Sequence, residues 1–368
     1  MATGWPMKTS YANGDVYSAQ DVNDITGTIN LLTSTTLSVA GGKNRVVNGG
    51  MDWWQRGTSI SVSASTAPYT ADRWQVNVGA NQATTVSRQT TSDTTNLPTL
   101  QYALRYQRNS GQTGTGAMYL TQSFESVNSI PFAAQTVTLS FYARKGANYS
   151  PTSSIMTSYV YYGTGTDQNI TGTYTGAVGL GGQNNTLTTT WQRFTMTVSI
   201  DKSATEIALL LAHTPTGTAS TNDYYEITGV QLELGSVATT FSRAGGSIAG
   251  ELAACQRYYQ RLDAANNAAQ MAIGPAWAFS TGGADMVYKL TTEMRVAPTV
   301  LDYSSLSHFQ WQGISVSNTP TSIAYDTNIN SRYNAGVTFA KTSGYTSGGN
   351  YFILVNTSSA YIGFGAEL

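Results

Sequence analysis

The stretch Tyr224–Arg261, YYEITGVQLELGSVATTFSRAGGSIAGELAACQRYYQR, decides how the chain is divided. Val230, Leu232 and Leu234 alternate with Gln231 and Glu233, the two-residue period of a strand with one buried and one solvated face, and Gly235 ends it. Ser247 is placed to cap a short helix carrying Ile248, Leu252 and Cys255 on one stripe, after which QRYYQR starts another strand. The last strand of one β-unit therefore runs through a helical joint into a second β-unit.

Upstream, short alternating runs separated by Gly, Ser, Thr, Asn and Pro clusters predict a β-sandwich or jelly roll over residues 44–243, with no helical periodicity. Its strands are read as Trp74–Val78, Tyr102–Arg108, Met118–Phe124, Thr136–Ala143, Ile155–Tyr162, Trp191–Ile200 and Glu206–Ala212. The Gly/Thr/Asn-rich run 163–188 reads as a loop and a candidate binding edge. It lacks the Lys-Ser/Thr of a phosphate-binding loop. Residues 244–262 form the joint, and 263–368 a smaller C-terminal β-sandwich. The fold class is thus mainly β, with a short linking helix and a short N-terminal helix. That N-terminal helix falls within an arm, residues 1–43, where Ser18 and Asp21 make a near capping box and Val22, Ile25, Ile29 and Leu32 form a narrow apolar seam.

Composition narrows the function. The chain has 368 residues, of which only 11% are charged, with a formal net charge of −1; ordinary soluble proteins carry roughly 25%. Such a chain has no basic field to neutralise phosphates, so nucleic-acid binding is not expected, and no run is apolar enough for membrane insertion. Cys255 is the single cysteine and is expected to be a buried thiol. No export signal is visible.

The catalytic inventory is thin. His213 and His308 have no accompanying nucleophile or orienting carboxylate, and Asp167, Asp201, Glu206, Asp223 and Glu226 are scattered acids without a legible pairing. The expectation is that the chain is not an enzyme. Its 23 tyrosines and 7 tryptophans point instead to binding. In SIMTSYVYYG, Tyr159 and Tyr161 share one strand face opposite Val160, a two-ring platform of the kind that stacks on the apolar faces of sugars. Gln122 and Arg144 are the expected polar partners; core packing is the rival reading of the rings. Should the rings prove to be core, the C-terminal unit with Trp311, Tyr345 and Tyr351 is the alternative site.

The runs ITGVQLELGSVATTFSRAGG and GELAACQRYYQR, together with NRVVNGGMDWWQRGTSIS and YTADRW, resemble a recurrent family of bacteriophage tail proteins whose jelly-roll domain is similar to carbohydrate-binding modules. The resemblance spans roughly residues 44–261, with an echo in SAYIGFGAEL. It implies a virion tail or fibre protein that recognises host-surface glycan. The alternatives are a purely structural fibre or head-decoration protein and a glycan-degrading tail enzyme. The resemblance also implies that the N-terminus engages other virion tail proteins. Together with the isoleucine seam it implies a homotrimer. No cofactor is required. A structural calcium is implied between the NGxF-like opening and the last strand, which nominates Asn48, Asp52, Asp223 and Glu226, with Met51 where Phe is usual. Phe141, Trp191, Phe194 and Met196 match inward-facing positions of such jelly rolls.

Overall fold

The computed structural model describes residues 43–80, 82–264, 271–313 and 317–368. The N-terminal helix and its Val22–Leu32 seam lie outside the described residues.

The first eleven strands are β1 (Ser59–Val62), β2 (Gln75–Asn77), β3 (Thr84–Thr90), β4 (Tyr102–Arg108), β5 (Met118–Ser123), β6 (Thr136–Lys145), β7 (Ile155–Gly163), β8 (Val178–Thr186), β9 (Gln192–Ser199), β10 (Glu206–His213) and β11 (Tyr224–Leu234). They form two antiparallel sheets, of six strands in the order β1-β3-β4-β11-β6-β9 and of five in the order β2-β5-β10-β7-β8. One apolar core lies between them, with Trp74, Tyr106, Phe132, Phe141, Leu209, Tyr225 and Ile227 fully or almost fully buried. Each such side chain contributes about 1.5–3 kcal/mol by leaving water. Phe141, Trp191 and Met196 are buried and Phe194 packs against the core, but Trp191 belongs to a separate small cluster with Leu97, Leu100 and Ala103.

Three readings of this unit need correction. The run 163–188 is not all loop, because β8 lies within it as an edge strand; its glycines erase the alternation that marks a strand. A one-turn helix, α1 (Ser126–Ser129), interrupts a region without helical periodicity. In β11 the polar face is not solvated: Gln231 and Glu233 are as buried as Val230 and Leu232, whereas Leu234 is exposed. The chain beyond Gly235 folds back over that face, and Gln231 Oε1 accepts from Ser242 N while Glu233 Oε1 accepts from Thr239 N.

A bulge between Thr228 and Gln231, with Gly229 at φ +61°, shifts the alternation so that Tyr225, Ile227, Val230 and Leu232 all face inward. Here the Asn48-Gly49-Gly50 turn crosses the strand. Val230 N donates to Gly49 O, and a Cβ on Gly49 would stand 2.1 Å from Val230 O, so only glycine permits the approach.

Helix α2 (Ile248–Gln256) follows, capped by Ser247 Oγ accepting from Gly250 N, with Cys255 buried. The remaining strands are β12 (Tyr259–Asp263), β13 (Met271–Ser280), β14 (Gly283–Lys289), β15 (Val300–Tyr303), β16 (Phe309–Gln312), β17 (Ser317–Asn318), β18 (Ser322–Tyr325), β19 (Asn334–Ala340), β20 (Asn350–Val355) and β21 (Tyr361–Gly365). They make a three-stranded sheet, β12-β21-β15, and a seven-stranded sheet, β17-β16-β20-β13-β14-β19-β18, around a second core containing Phe309, Trp311, Phe339 and Phe364.

The stretches that carry the family resemblance meet where the two cores adjoin. Arg73 of YTADRW is buried, with its guanidinium paired to Glu367, donating to Ser123 O and lying 3.6 Å from the Tyr258 ring centroid. Arg56 reaches the same Glu367 carboxylate and stacks 3.6 Å over Tyr259. Arg257 makes a two-pronged pair with Glu125, which also accepts from Tyr258 Oη. Asp72 accepts from Gln55 N and Gln55 Nε2, and its burial raises its pKa to about 6. These signatures read physically as a polar seam between two β-units. No helix of the described residues is long and apolar enough to cross a membrane.

Candidate functional site

The outer face of the five-stranded sheet is built by alternation. On β7, Met156, Ser158 and Val160 point into the core, which turns Thr157, Tyr159 and Tyr161 outward, where they are half-buried. The two rings lie 5.8 Å apart, tilted by 46°. They lean over β8, where Gly179 and Gly182 make room; a Cβ on Gly179 would stand 2.8 Å from the Tyr161 ring and one on Gly182 would stand 3.2 Å from Tyr159. The glycines that hid β8 in the sequence are thus what lets the rings lie down. On the neighbouring strand β10, Leu210 lies opposite Tyr159 and Ala208 opposite Tyr161.

A third ring belongs to this face. Tyr119 on β5 lies opposite Ala212 of β10, which in turn lies opposite Thr157 of β7. Burial, then the neighbouring Tyr159 and Tyr119, raise the Tyr161 pKa, so its hydroxyl stays neutral and serves as a hydrogen-bond donor. Polar groups border the rings: Asn77 lies opposite Tyr119, and Thr157 Oγ1 donates to Asn184 Oδ1 at 2.9 Å. The 164–175 segment closes one end of the face, with Ile170 N donating to Ser123 Oγ and Thr171 Oγ1 to Gln75 Oε1. Three half-buried, outward-facing rings bordered by amide and hydroxyl groups suit a ligand with apolar faces and many hydroxyls.

The two polar partners expected from sequence are not here. Gln122 has the opposite parity on β5 and is buried, clamping the backbone of Val47 through both amide atoms. Arg144 lies on β6 in the other sheet, where it pairs with Glu226 at 2.6 Å and stacks over Trp191. Tyr119, Asn77 and Asn184 were missed. The alternation in Met118-Tyr-Leu-Thr-Gln-Ser would have turned Tyr119 outward, but nothing local told that β5 and β7 flank the same strand.

The four residues nominated for calcium are likewise not gathered. Asp52 is held by both nitrogens of the Arg243 fork at 2.8 and 3.2 Å, Asp223 pairs with buried Arg108 at 2.7 Å, and Glu226 sits between Arg105 and Arg144. Asn48 binds the backbone of Trp53 and Asp72. Arginines supply the positive charge that a cation was expected to supply, and no group of three or more His, Cys, Asp or Glu able to hold a metal occurs among the described residues.

Of the remaining acids, Asp167 pairs with Arg295, Asp201 accepts from Ser203, and Glu206 is buried and accepts from Gln168 N. His213 is buried against Tyr106, Tyr149 and Tyr225. Burial, and then the charge of Arg108, depress its pKa to about 3. Trp311, Tyr345 and Tyr351 are core residues, Trp311 stacked 4.1 Å from Tyr345, so the alternative platform in the second unit is not formed by them.

No family model and no curated relative matches the chain. Among solved structures, the enzymatically active domain of tailspike protein 4 from bacteriophage CBA120 aligns at 12% identity and a TM-score of 0.30, over 52% of this chain and 21% of the tailspike chain. The CBM22-1 xylan-binding domain of Xyn10C from Paenibacillus barcinonensis aligns at 14% identity and a TM-score of 0.31, over 48% of this chain and 99% of that one. The CBM22-1 and GH10 modules of Clostridium thermocellum xylanase 10B, complexed with xylohexaose, align at 10% identity and a TM-score of 0.29, over 50% of this chain and 29% of theirs.

Proposed function

We propose that this chain is a virion tail or fibre component that recognises host-surface glycan on the outer face of its five-stranded sheet. The observation that carries the reading is the placement of Tyr159 and Tyr161: both rings lie outside the core, side by side, on a face bordered by hydroxyl and amide groups. The virion assignment rests on the sequence resemblance. The N-terminal arm is its proposed attachment end, and a homotrimer its proposed state. Monovalent binding of glycans selected from an array tests the site. Tyr159→Ala and Tyr161→Ala should each weaken binding about tenfold, in line with 1–2 kcal/mol for a stacking ring, and leave the thermal midpoint nearly unchanged. A large fall in stability with unaltered affinity would return the rings to the core. Antibody labelling of virions in micrographs tests the location.

One observation favours the purely structural fibre reading. Trp277, Phe279 and Phe352 are each about half exposed on the outer face of the seven-stranded sheet, at 53%, 46% and 56%. Such an apolar patch suits packing against another fibre subunit. A chain that binds no glycan, yet whose Trp277→Ser variant falls apart into monomers, would support that reading.

A further inference from the structure

A cleft of about 570 Å³ opens between the six-stranded sheet and the joint, within the roughly 300–1,000 Å³ usual for small-ligand sites. It is lined by Asp52 and Trp53 from the NGGMDWWQRG turn, Arg88 of β3, Gln101 and Tyr102 at the start of β4, and Arg243 with Ile248 from the joint. Segments nearly 200 residues apart thus meet here, and Trp53 Nε1 fixes the joint by donating to Ile248 O at 3.2 Å.

The charges in the cleft are not equivalent. The Asp52 carboxylate is taken by the Arg243 fork. Arg88 has no carboxylate partner among the described residues; its guanidinium is held 4.4 Å over the Tyr102 ring and donates to the backbone oxygen of Asp52 at 3.3 Å. Glu251 is the other acid near Arg243, but it is buried beneath the cleft and accepts from the backbone nitrogens of Asn48 and Gly245. A guanidinium positioned by an aromatic ring and a carbonyl, with no further side-chain hydrogen bond among the described residues, is matched in geometry to a planar carboxylate or another oxyanion. Beside it Trp53 offers a half-buried indole and Gln101 an exposed amide, the complement of a sugar ring's apolar face and hydroxyls.

We infer that this cleft is a second saccharide subsite, selective for a sugar that carries an acidic group, with Arg88 as the residue that reads the charge. The inference rests on the glycan-binding reading but concerns a different face of the molecule. Full-length chain on an array of neutral glycans and their uronate-, sialate-, sulfate- or phosphate-bearing counterparts tests it. Acidic glycans should be retained over their neutral counterparts, and added salt should weaken them. Arg88→Gln should lower acidic binding about tenfold or more. Ile248→Glu, at an exposed position on the rim, should repel the same ligands and leave the thermal midpoint unchanged; it covers the case in which the Arg88 variant is unstable. Equal retention of acidic and neutral glycans, or acidic binding that survives Ile248→Glu, would overturn the inference. Loss of all binding in Tyr159→Ala with none in Arg88→Gln would refute the cleft and keep the sheet face. The reverse pattern would do the opposite, and an empty array would refute both.

Discussion

Replacing His213 should make the protein more resistant to acid. The imidazole is enclosed by Tyr106, Tyr149 and Tyr225 at ring-centroid distances of 5.2–5.9 Å, and its Nδ1 has no hydrogen-bond partner among the described residues. Burial, reinforced by Arg108, lowers its pKa from 6.5 to about 3. Between these values the unfolded chain binds a proton that the folded chain refuses, so the stability tied to neutral His213 is complete above about pH 6.5. It falls as the pH drops towards 3. Near pH 4.5 the gap from the unfolded pKa is two units at about 1.36 kcal/mol each, so roughly 3 kcal/mol of stability is lost to this one group. Asp72 acts in the opposite sense, because a carboxyl whose pKa is raised to about 6 in the folded state stabilises that state as pH falls. Comparing variant with parent cancels its contribution. Chemical denaturation of the parent and of His213→Phe near pH 8 and near pH 4.5 is the assay. The variant should gain roughly 3 kcal/mol on the parent between the two conditions. Parallel stability curves would show that the imidazole is protonated in the folded state and that the reasoning is wrong.

Glu226, buried between Arg105 and Arg144, should be costly to remove: Glu226→Ala is expected to lose about 3 kcal/mol in urea titration. Arg144→Ala should lose less, because Arg105 stays on the carboxylate. Gly49→Ala forces a Cβ into the Val230 carbonyl and should lose about 3 kcal/mol or more, or fail to accumulate as soluble protein. Gly116→Ala, with open space at its Cβ, should stay within about 0.5 kcal/mol of the parent in thermal melts.

Strands with clear alternation were legible: Tyr102–Arg108 and the start of β7 at Ile155 fall where the pattern puts them. The Tyr159/Tyr161 pair was legible for the same reason, since parity alone separates it from Val160. What parity cannot tell is which strands become neighbours. Gln122 and Arg144 were assigned to the platform as residues of nearby strands, but one is on the inner side of its sheet and the other in the opposite sheet. The Gln122 error was one of parity, since it shares the inward side of Met118 and Leu120, whereas the Arg144 error comes from non-local pairing, which puts β6 in the six-stranded sheet while β5 and β7 are joined through β10. The polar face of β11 misled for a related reason, because its cover comes from the backbone and hydroxyl groups of Thr239 and Ser242, which carry no apolar signal. The acids nominated for calcium are each paired with arginine. The sequence shows the acids, but only the fold shows that Arg243, Arg108, Arg105 and Arg144 reach them first.

The central claim, glycan recognition on the outer face of the five-stranded sheet, is tested most directly by hydrogen–deuterium exchange of the full chain with and without an array-selected glycan. The account predicts added protection in Ile155–Gly163, Met118–Ser123 and the 164–175 segment, lost in Tyr159→Ala. A bound glycan that leaves these segments unchanged, while protecting only strands of the C-terminal unit, would contradict it.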